Sequence, residues 1–578
     1  MSNASFRGIT FSAIILLGIL LYANTINYPQ FLFDGNMFLL NNPLFKNLDY
    51  YAKLFDIQEF SGLDESLGLY PDVTTNFMMR PVAYLTFSIN YLISGFNPAA
   101  FRSVNIVIHI LNSLLVFACI EQLLNSMPSN RSLSLFSARF IPTASAFVFL
   151  LHPMHTESVT YITQRFASLA AFFYLATIWL YLLWSKKEQR GEKGGLIRWM
   201  SVVVLLLGMM TRESLFTAPV MIILLELTVL GNKSLKSVIR RVAPHLMLMP
   251  IIPVMVILVS AAQDSSSPSL SGAINIVNYV DTPIAHYALT QLVVLVTYLR
   301  LYLLPYGQNV DPDPQLYTHP FQWPVLSAAS ILVLMAGYAF HLFRGNRNDV
   351  RCVLVFVGVA WYLLAISVTS SFIPLPDLMA EHRAYLPSVG FIMALICMID
   401  ILRTKAESTR VNRIFVIGIS VWCMLLIVLT YNRNKVWRSP VRLWSDAVKK
   451  SPAKDRPWIN LGVAYGKSGN FLEASKCFLK VIEINPDWSQ TYEMLGDSYL
   501  ELKRYQEAVD VSLRGIDIDP ANPVIYNNLG IAYAEMGKEE DAKQAFSTAI
   551  ALKPGYQNAM INLDRMESFM ESKIGRRK

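Results

Sequence analysis

The sequence predicts an all-α chain: a polytopic membrane domain of about eleven crossings, followed by a helical repeat solenoid. Three observations predict it. Hydrophobic residues make up 53% of the 578 positions and charged residues only 16%, with a mean hydropathy of +0.38, whereas soluble domains carry about 25% charge. Twelve apolar runs are long enough, or nearly so, to span a bilayer. From residue 455 onward the pattern changes to a strict 34-residue period. A disordered chain or a small disulfide scaffold is excluded, and an ordinary cytosolic enzyme is disfavoured.

The apolar runs centre on 9–27, 103–124, 135–151, 166–184, 197–211, 213–230, 244–262, 288–304, 324–343, 351–369, 385–402 and 414–431. The first reads as a retained span. Only Arg7 precedes it, and Tyr22-Ala23-Asn24-Thr25 is a poor small-x-small cleavage site. With the N-terminus inside, the loops 125–139, 185–198 and 231–243 face the cytoplasm with two, five and four Lys/Arg. The basic loops 343–351 and 403–413 also belong inside. That holds if one run between 244 and 324 fails to cross. The run 288–304 is the expected exception, a re-entrant or surface-lying helix, because Arg300 interrupts it and Pro305 follows. The flanks 263–287 and 305–323 contain no Lys or Arg, as an outer face should. Eleven crossings then put the C-terminus outside.

Charge divides along the chain. Residues 1–454 hold 34 Lys+Arg and 23 Asp+Glu, a net of +11; residues 455–578 hold 15 and 18, a net of −3. The basic balance therefore belongs to membrane loops, and no basic-aromatic face points to nucleic acid. Five cysteines without a Cys-x-x-Cys imply neither zinc nor disulfides.

The domain reading is 1–432 for the membrane domain, with 28–102 as its first outer loop. A linker and half-repeat occupy 433–454, three repeats 455–556, and a capping helix and basic tail 557–578. Position 4 of the repeats reads Trp458, Tyr492, Tyr526. Positions 7 and 8 read Leu461-Gly462, Leu495-Gly496, Leu529-Gly530. Position 20 reads Ala474, Ala508, Ala542, and position 32 reads Pro486, Pro520, Pro554. This is the tetratricopeptide signature. Small residues let the two helices of a hairpin pack closely, and the proline ends the second. The repeat aromatics read as core. The groove of such solenoids holds peptides or proteins.

Charged residues cluster at the expected outer ends of the spans: Asp34; Arg80; His152, His155 and Glu157 with Arg165; Arg212-Glu213; and Glu381-His382-Arg383. Charge near lipid is expensive and usually functional. Each of these could instead pair structurally, but five clusters on one side make a joint accident hard to credit. Arg165, Arg212 and Arg383 suit an anionic phosphate headgroup, because guanidinium offers bidentate charge-assisted bonds. Asp34 is the base candidate. His152, His155 and Glu157 are a poor metal set, since their i, i+3, i+5 spacing does not share a helical face. No cofactor is required by these residues; a divalent metal is the weaker alternative. Walker, dinucleotide and serine-hydrolase motifs are missing from the sequence.

Asp34, Arg80-Pro81, Asn105 with His109, His152-Pro-x-His155-x-Glu157, Arg165, Arg212-Glu213, Glu381-His382-Arg383-x-Tyr385-Leu-Pro-Ser-x-Gly390 and the terminal repeats together resemble a known family. It is the transmembrane-and-tetratricopeptide-repeat O-mannosyltransferases and their bacterial relatives, within the GT-C glycosyltransferases. The resemblance covers nearly the whole chain. It implies transfer of a sugar from a polyprenyl-phosphate donor to an acceptor hydroxyl, Ser or Thr of a protein, on the periplasmic or lumenal side. It implies Asp34 as base, Arg165, Arg212 and Arg383 on the donor phosphate, and Glu213 and Glu381 orienting those arginines. Arg80, His109, His152, His155, Glu157, His382 and Tyr385 would line the site, and the repeat groove would hold the acceptor protein. The family's second acid after the first helix is here Gly35, which puts acceptor positioning or a metal role in question. The alternatives are a lipid or envelope-glycan acceptor, or a non-catalytic membrane-anchored scaffold. Sequons at Asn3, Asn130 and Asn232 alone, all on the expected inner side, favour a bacterial inner membrane with periplasmic repeats over an ER membrane with lumenal ones.

Overall fold

A computed structural model describes residues 2–28, 36–54, 67, 71–127, 133–231, 234–263, 282–371, 373–406 and 409–575. Asp34 and Gly35 lie outside the described residues. Among those described, the regular structure is entirely helical. The chain forms two compact units. One is built from residues 1–310 and 314–439, the other from 311–313 and 440–578.

In the first unit the helices are α1 (Asn3–Ile26), α2 (Pro71–Met79), α3 (Pro81–Ser94), α4 (Pro98–Leu124), α5 (Leu135–Leu151), α6 (Thr156–Thr160), α7 (Arg165–Gln189) and α8 (Gly195–Met209). They continue as α9 (Ala218–Thr228), α10 (Leu235–Leu246), α11 (Ile251–Gln263), α12 (Ile284–Leu303), α13 (Trp323–Gly345), α14 (Val350–Ser367), α15 (Pro387–Lys405) and α16 (Thr409–Val436). Their starts are marked by local chemistry. Asn97, Ser134, Ser234 and Asp349 each accept a hydrogen bond from a backbone N–H of the first turn, satisfying a donor the helix itself cannot. Proline at the first turn of α3, α4, α13 and α15 uses a position where no N–H is needed.

Eight helices among the described residues are long and apolar enough to cross a bilayer. The α5 helix bends by 53° into the 153–160 segment, and α10 bends by 41° into α11. The expected spans at 197–211 and 213–230 are shorter than the runs suggest. The first is the 15-residue α8, and the second opens with the turn Glu213–Thr217 before α9. The run 288–304, expected to be re-entrant or surface-lying, is the unbroken 20-residue α12 with Arg300 in its last turn. It is itself one of the eight.

The basic loops gather at one end of this unit. Arg7 pairs with Glu121 at 2.8 Å, and Arg198 donates to the Arg241 carbonyl at 2.9 Å. Arg351 and Arg403 both reach the buried Asp400, at 3.0 and 2.8 Å. The opposite end holds most of the described charged clusters. Tightest of the helix contacts is α14 against α15. A Cβ on Gly358 would lie 2.4 Å from the Gly390 carbonyl, and one on Gly390 would lie 2.4 Å from the Gly358 carbonyl. Only hydrogen fits at that crossing.

The second unit begins with α17 (Pro440–Lys450). Three helical hairpins follow: α18 (Asp455–Lys467) with α19 (Phe471–Ile484), α20 (Ser489–Glu501) with α21 (Tyr505–Ile518), and α22 (Pro523–Glu535) with α23 (Glu539–Leu552). The helix α24 (Gln557–Gly575) ends it. Ala474, Ala508 and Ala542 are fully buried where hairpin helices meet. Asp311 belongs to this unit and accepts from the side chains of Lys454 and Arg456.

Candidate functional site

At the end of the membrane unit away from the basic loops, two short turns present the candidate residues. The first follows α8. Gly208 has no side chain, and a Cβ there would sit 2.0 Å from a Leu215 methyl and 2.7 Å from Phe173. The chain therefore folds straight back, with the amides of Thr211 and Arg212 bonded to the Gly208 carbonyl. This puts Arg212 and Glu213 at the head of the turn.

The second turn, Glu381–Ala384, is held from beneath by α12. The hydroxyl of Tyr302 donates to the Ala384 carbonyl at 2.5 Å, and that of Tyr298 to the Ala380 carbonyl at 2.8 Å. Gln291 donates to the Leu378 carbonyl at 2.9 Å. Sequence reasoning did not single out these three residues. The signal was available: 287, 291, 298 and 302 form a polar stripe at helical spacing along an apolar run.

Arg212, Ser214, Thr369, His382 and Arg383 line one narrow cleft between these turns. It encloses about 10 Å³, room for about one water molecule. The Arg212 side chain makes no hydrogen bond among the described residues, although it lies beside Arg80, Arg383, Glu213 and Glu157. Arg383 donates to the Asp377 carbonyl at 2.8 Å. His382 Nδ1 lies 2.7 Å from Glu157 Oε1. Burial, then the neighbouring Arg212 and Arg383, pushes the His382 imidazole well below its usual range, so it is neutral at pH 7. The cleft can thus offer cationic donors to an anion.

The acidic residues serve other partners than the resemblance implies. Glu213 binds Arg80 at 3.1 Å rather than Arg212, and Asn76 supports the same guanidinium at 3.0 Å. Burial opposes the Glu213 charge, but Arg80 and Arg212 hold its carboxyl below the ordinary value. Glu381 accepts from the Asn309 amide at 2.6 Å and from Gln308 at 3.2 Å, with Arg433 3.9 Å away. It ties down the loop after α12 rather than orienting Arg383.

Arg165 is brought elsewhere. It is fully buried, and its guanidinium donates to Asn105, Asn90 and the carbonyls of Thr86 and Phe101 at 2.7–3.1 Å. The Phe87 ring lies 4.3 Å away. Every arm is used in joining α3, α4 and α7.

The histidines are saturated in the same way. His109 lies between the Tyr385 hydroxyl at 2.6 Å and the Leu150 carbonyl at 3.0 Å, and Asn112 donates to the same hydroxyl. His152 donates to the Tyr302 carbonyl and accepts from the Met154 amide. His155 contacts the Phe149 carbonyl and Ser388. These residues knit α4, α5, α12 and α15 into the floor under the two turns. No group of three His, Cys, Asp or Glu is placed to hold a metal ion among the described residues.

Comparisons with known proteins bear on both units. Models of the TPR repeat and the tetratricopeptide repeat match residues 456–487, 496–537 and 523–556. Over 494 residues the chain is 24% identical to a protein O-mannosyl-transferase of Caenorhabditis elegans, covering 82% of this chain and 63% of that protein. It is 22% identical to human TMTC3, covering 71% and 45%, and 23% identical to human TMTC4, covering 76% and 62%. Its relatives are protein O-mannosyl-transferases. The C-terminal region consists of tetratricopeptide repeats, and the N-terminal region is a helical membrane domain. The chain covers less than two thirds of the length of each of these relatives. All three matches extend well beyond the 139 residues that begin at Pro440, so the membrane unit shares in the likeness.

Proposed function

We propose that the protein transfers a sugar, mannose by analogy with its relatives, from a polyprenyl-phosphate donor to a hydroxyl of a protein acceptor. The observation that carries this reading is Arg212. A guanidinium held beside Arg383 and His382 with no hydrogen bond of its own among the described residues is a poor structural element and a ready anion ligand. The cleft is too small for a phosphate as it stands. Arg212 has no hydrogen bond to a described residue to break in swinging aside, so donor binding can open it at little cost.

In this reading Arg212 and Arg383 bind the donor phosphate and stabilise it as it departs. Electrostatic stabilisation of this kind needs donors fixed in advance; the Tyr298 and Tyr302 anchors fix the turn that carries Arg383, and Arg212 closes on the phosphate once it has entered. His382, held by Glu157, hydrogen-bonds a hydroxyl of the donor's sugar. Asp34 takes the proton of the acceptor hydroxyl, whose oxygen attacks the anomeric carbon opposite the phosphate and inverts its configuration. A positioned base contributes about 10²–10⁴-fold. The repeat groove holds the acceptor chain and raises its local concentration. The site faces the periplasm or lumen, as the charge asymmetry of the loops suggests.

The test is transfer in vitro from a labelled polyprenyl-phosphate mannose to extracted protein, run beside Asp34→Asn and Arg212→Ala. Labelled protein that disappears in Asp34→Asn and falls about ten- to a hundredfold in Arg212→Ala, with folding intact, is the expected result. Transfer that persists in Asp34→Asn refutes the base. Label that appears only in lipid or glycan refutes the protein acceptor.

A further inference from the structure

An apolar cleft of the membrane unit lies away from the candidate site. It encloses about 730 Å³ between α1, α5 and α16. Phe6 and Leu17 line it from α1, Arg139 and Phe147 from α5, and Val416 and Ile427 from α16. All three helices are among the apolar spans or bent pairs. Much of the surface beside the cleft is outward-facing hydrocarbon: Leu135 is 61% exposed and Met424 65%. On spanning helices such a surface meets lipid.

The cleft has a closed end and an open end. Toward the candidate site the three helices are stitched together. Thr430 donates to the Leu151 carbonyl at 2.6 Å, and Asn434 donates to the Leu21 carbonyl at 3.2 Å. Thr160 donates to Asn434 at 3.1 Å. Toward the basic loops no direct hydrogen bond joins α16 to α1 or α5 among the described residues; Arg403 of α15 bridges Asn412 and Ser137 at 2.9 Å beside the cleft, and Phe6, Leu135 and Val416 line it there. Arg139, the one charged residue lining the cleft, stands at this open end, 4.9 Å over the Phe6 ring. Arg410 and Arg413 are exposed at the start of α16.

We propose that this cleft is a specific site for an anionic phospholipid of the leaflet on the side of the basic loops, with an acyl chain in the cleft and the headgroup on Arg139. Two features select this occupant. The apolar lining suits a hydrocarbon chain, and the open end carries positive charge, which attracts anionic headgroups. The seal at the other end argues against the tail of a donor whose phosphate lies in the candidate site. That tail would have to pass the Thr430 and Asn434 bonds.

The experiment uses the full chain reconstituted in phosphatidylcholine vesicles containing a photoactivatable phosphatidylglycerol, with labelled peptides mapped by mass spectrometry. Label is expected on segments 135–151 and 412–436. Ser420→Trp places a large side chain in the cleft from an exposed position and should abolish that label. Arg139→Gln should weaken it about fivefold, the effect of one basic residue near a membrane surface. Val421→Trp, on the same helix but not lining the cleft, should leave it unchanged. Equal labelling of all variants would show merely surrounding lipid and overturn the proposal. So would equal labelling by a photoactivatable phosphatidylcholine, or displacement of the label by a polyprenyl phosphate. Because the readout is lipid labelling, it stands or falls independently of sugar transfer.

Discussion

At the scale of single residues, the site separates charges that are used up from charges that are not. Arg165 and Arg212 are the same side chain at the same end of the fold, yet among the described residues one makes its full set of bonds and the other makes none. Arg212→Ala should therefore cost less stability than Arg165→Ala. It should weaken donor transfer by about ten- to a hundredfold, the worth of hydrogen bonds to a charged group. Arg165→Ala should do the reverse and unfold the unit, because it leaves buried Asn and carbonyl acceptors unmet. Thermal melts beside transfer assays separate the two. Unfolding by Arg212→Ala would remove the argument for a ligand-binding arginine.

His382 makes a separate prediction through pH. Its folded pKa lies below the ordinary 6.5, so between the two values the unfolded chain binds a proton that the folded chain does not. Stability then rises with pH up to about 6.5, is fully present above it, and is lost as pH falls below it. In melts from pH 5 to 8, His382→Gln should show less destabilisation on the acid side than the parent. Identical acid limbs would mean that His382 is not held neutral by its surroundings.

At the scale of elements, the repeats look equivalent in sequence but not in packing. Gly462 and Gly530 sit under phenylalanine rings, with an added Cβ 2.5 Å from Phe478 and 2.6 Å from Phe546. Gly496 occupies the same repeat position, yet the nearest atoms to its added Cβ lie 3.6 Å away. Gly530→Ala should lose about 1–3 kcal/mol to overpacking. Gly496→Ala should be neutral or stabilising, because alanine is the better helix former by up to about 1 kcal/mol. Urea denaturation of the three alanine variants would decide it. Equal losses at all three positions would contradict the packing difference.

At the scale of the whole molecule, what the sequence shows and what it hides follow from range. The 34-residue period and the long apolar runs are local patterns, so the two kinds of architecture and most of the helices are legible from them. The site is made of distant pairs. Glu157 meets His382 across 225 positions, and Arg80 meets Glu213 across 133. A sequence displays charge but not its partner, so Arg165 reads like Arg212, and Glu213 and Glu381 read like supports for the wrong arginines. The polar face of α12 was visible, but it was obscured by Arg300 and Pro305, which favoured a helix that does not cross.

The division of the chain into two units carries the last prediction. All the described residues proposed to meet the donor, Arg212, His382 and Arg383, belong to the first unit. The surface proposed to meet the acceptor belongs to the second, so the two functions should separate on deletion of 455–578. Binding of a polyprenyl monophosphate should stay within about twofold of the parent, since no donor contact is removed and one tenfold step corresponds to about 1.4 kcal/mol. Transfer to protein should fall steeply, because the acceptor then arrives only by free collision and the gain from holding it nearby, about 10²–10⁴-fold for linked sites, is lost. Transfer to a short hydroxyl-bearing peptide at saturating concentration should survive. On the proposed reading the repeats raise effective concentration and supply none of the chemistry. Full protein transfer by the truncated chain would remove the repeats from acceptor capture. Loss of monophosphate binding would place part of the donor site beyond the membrane unit.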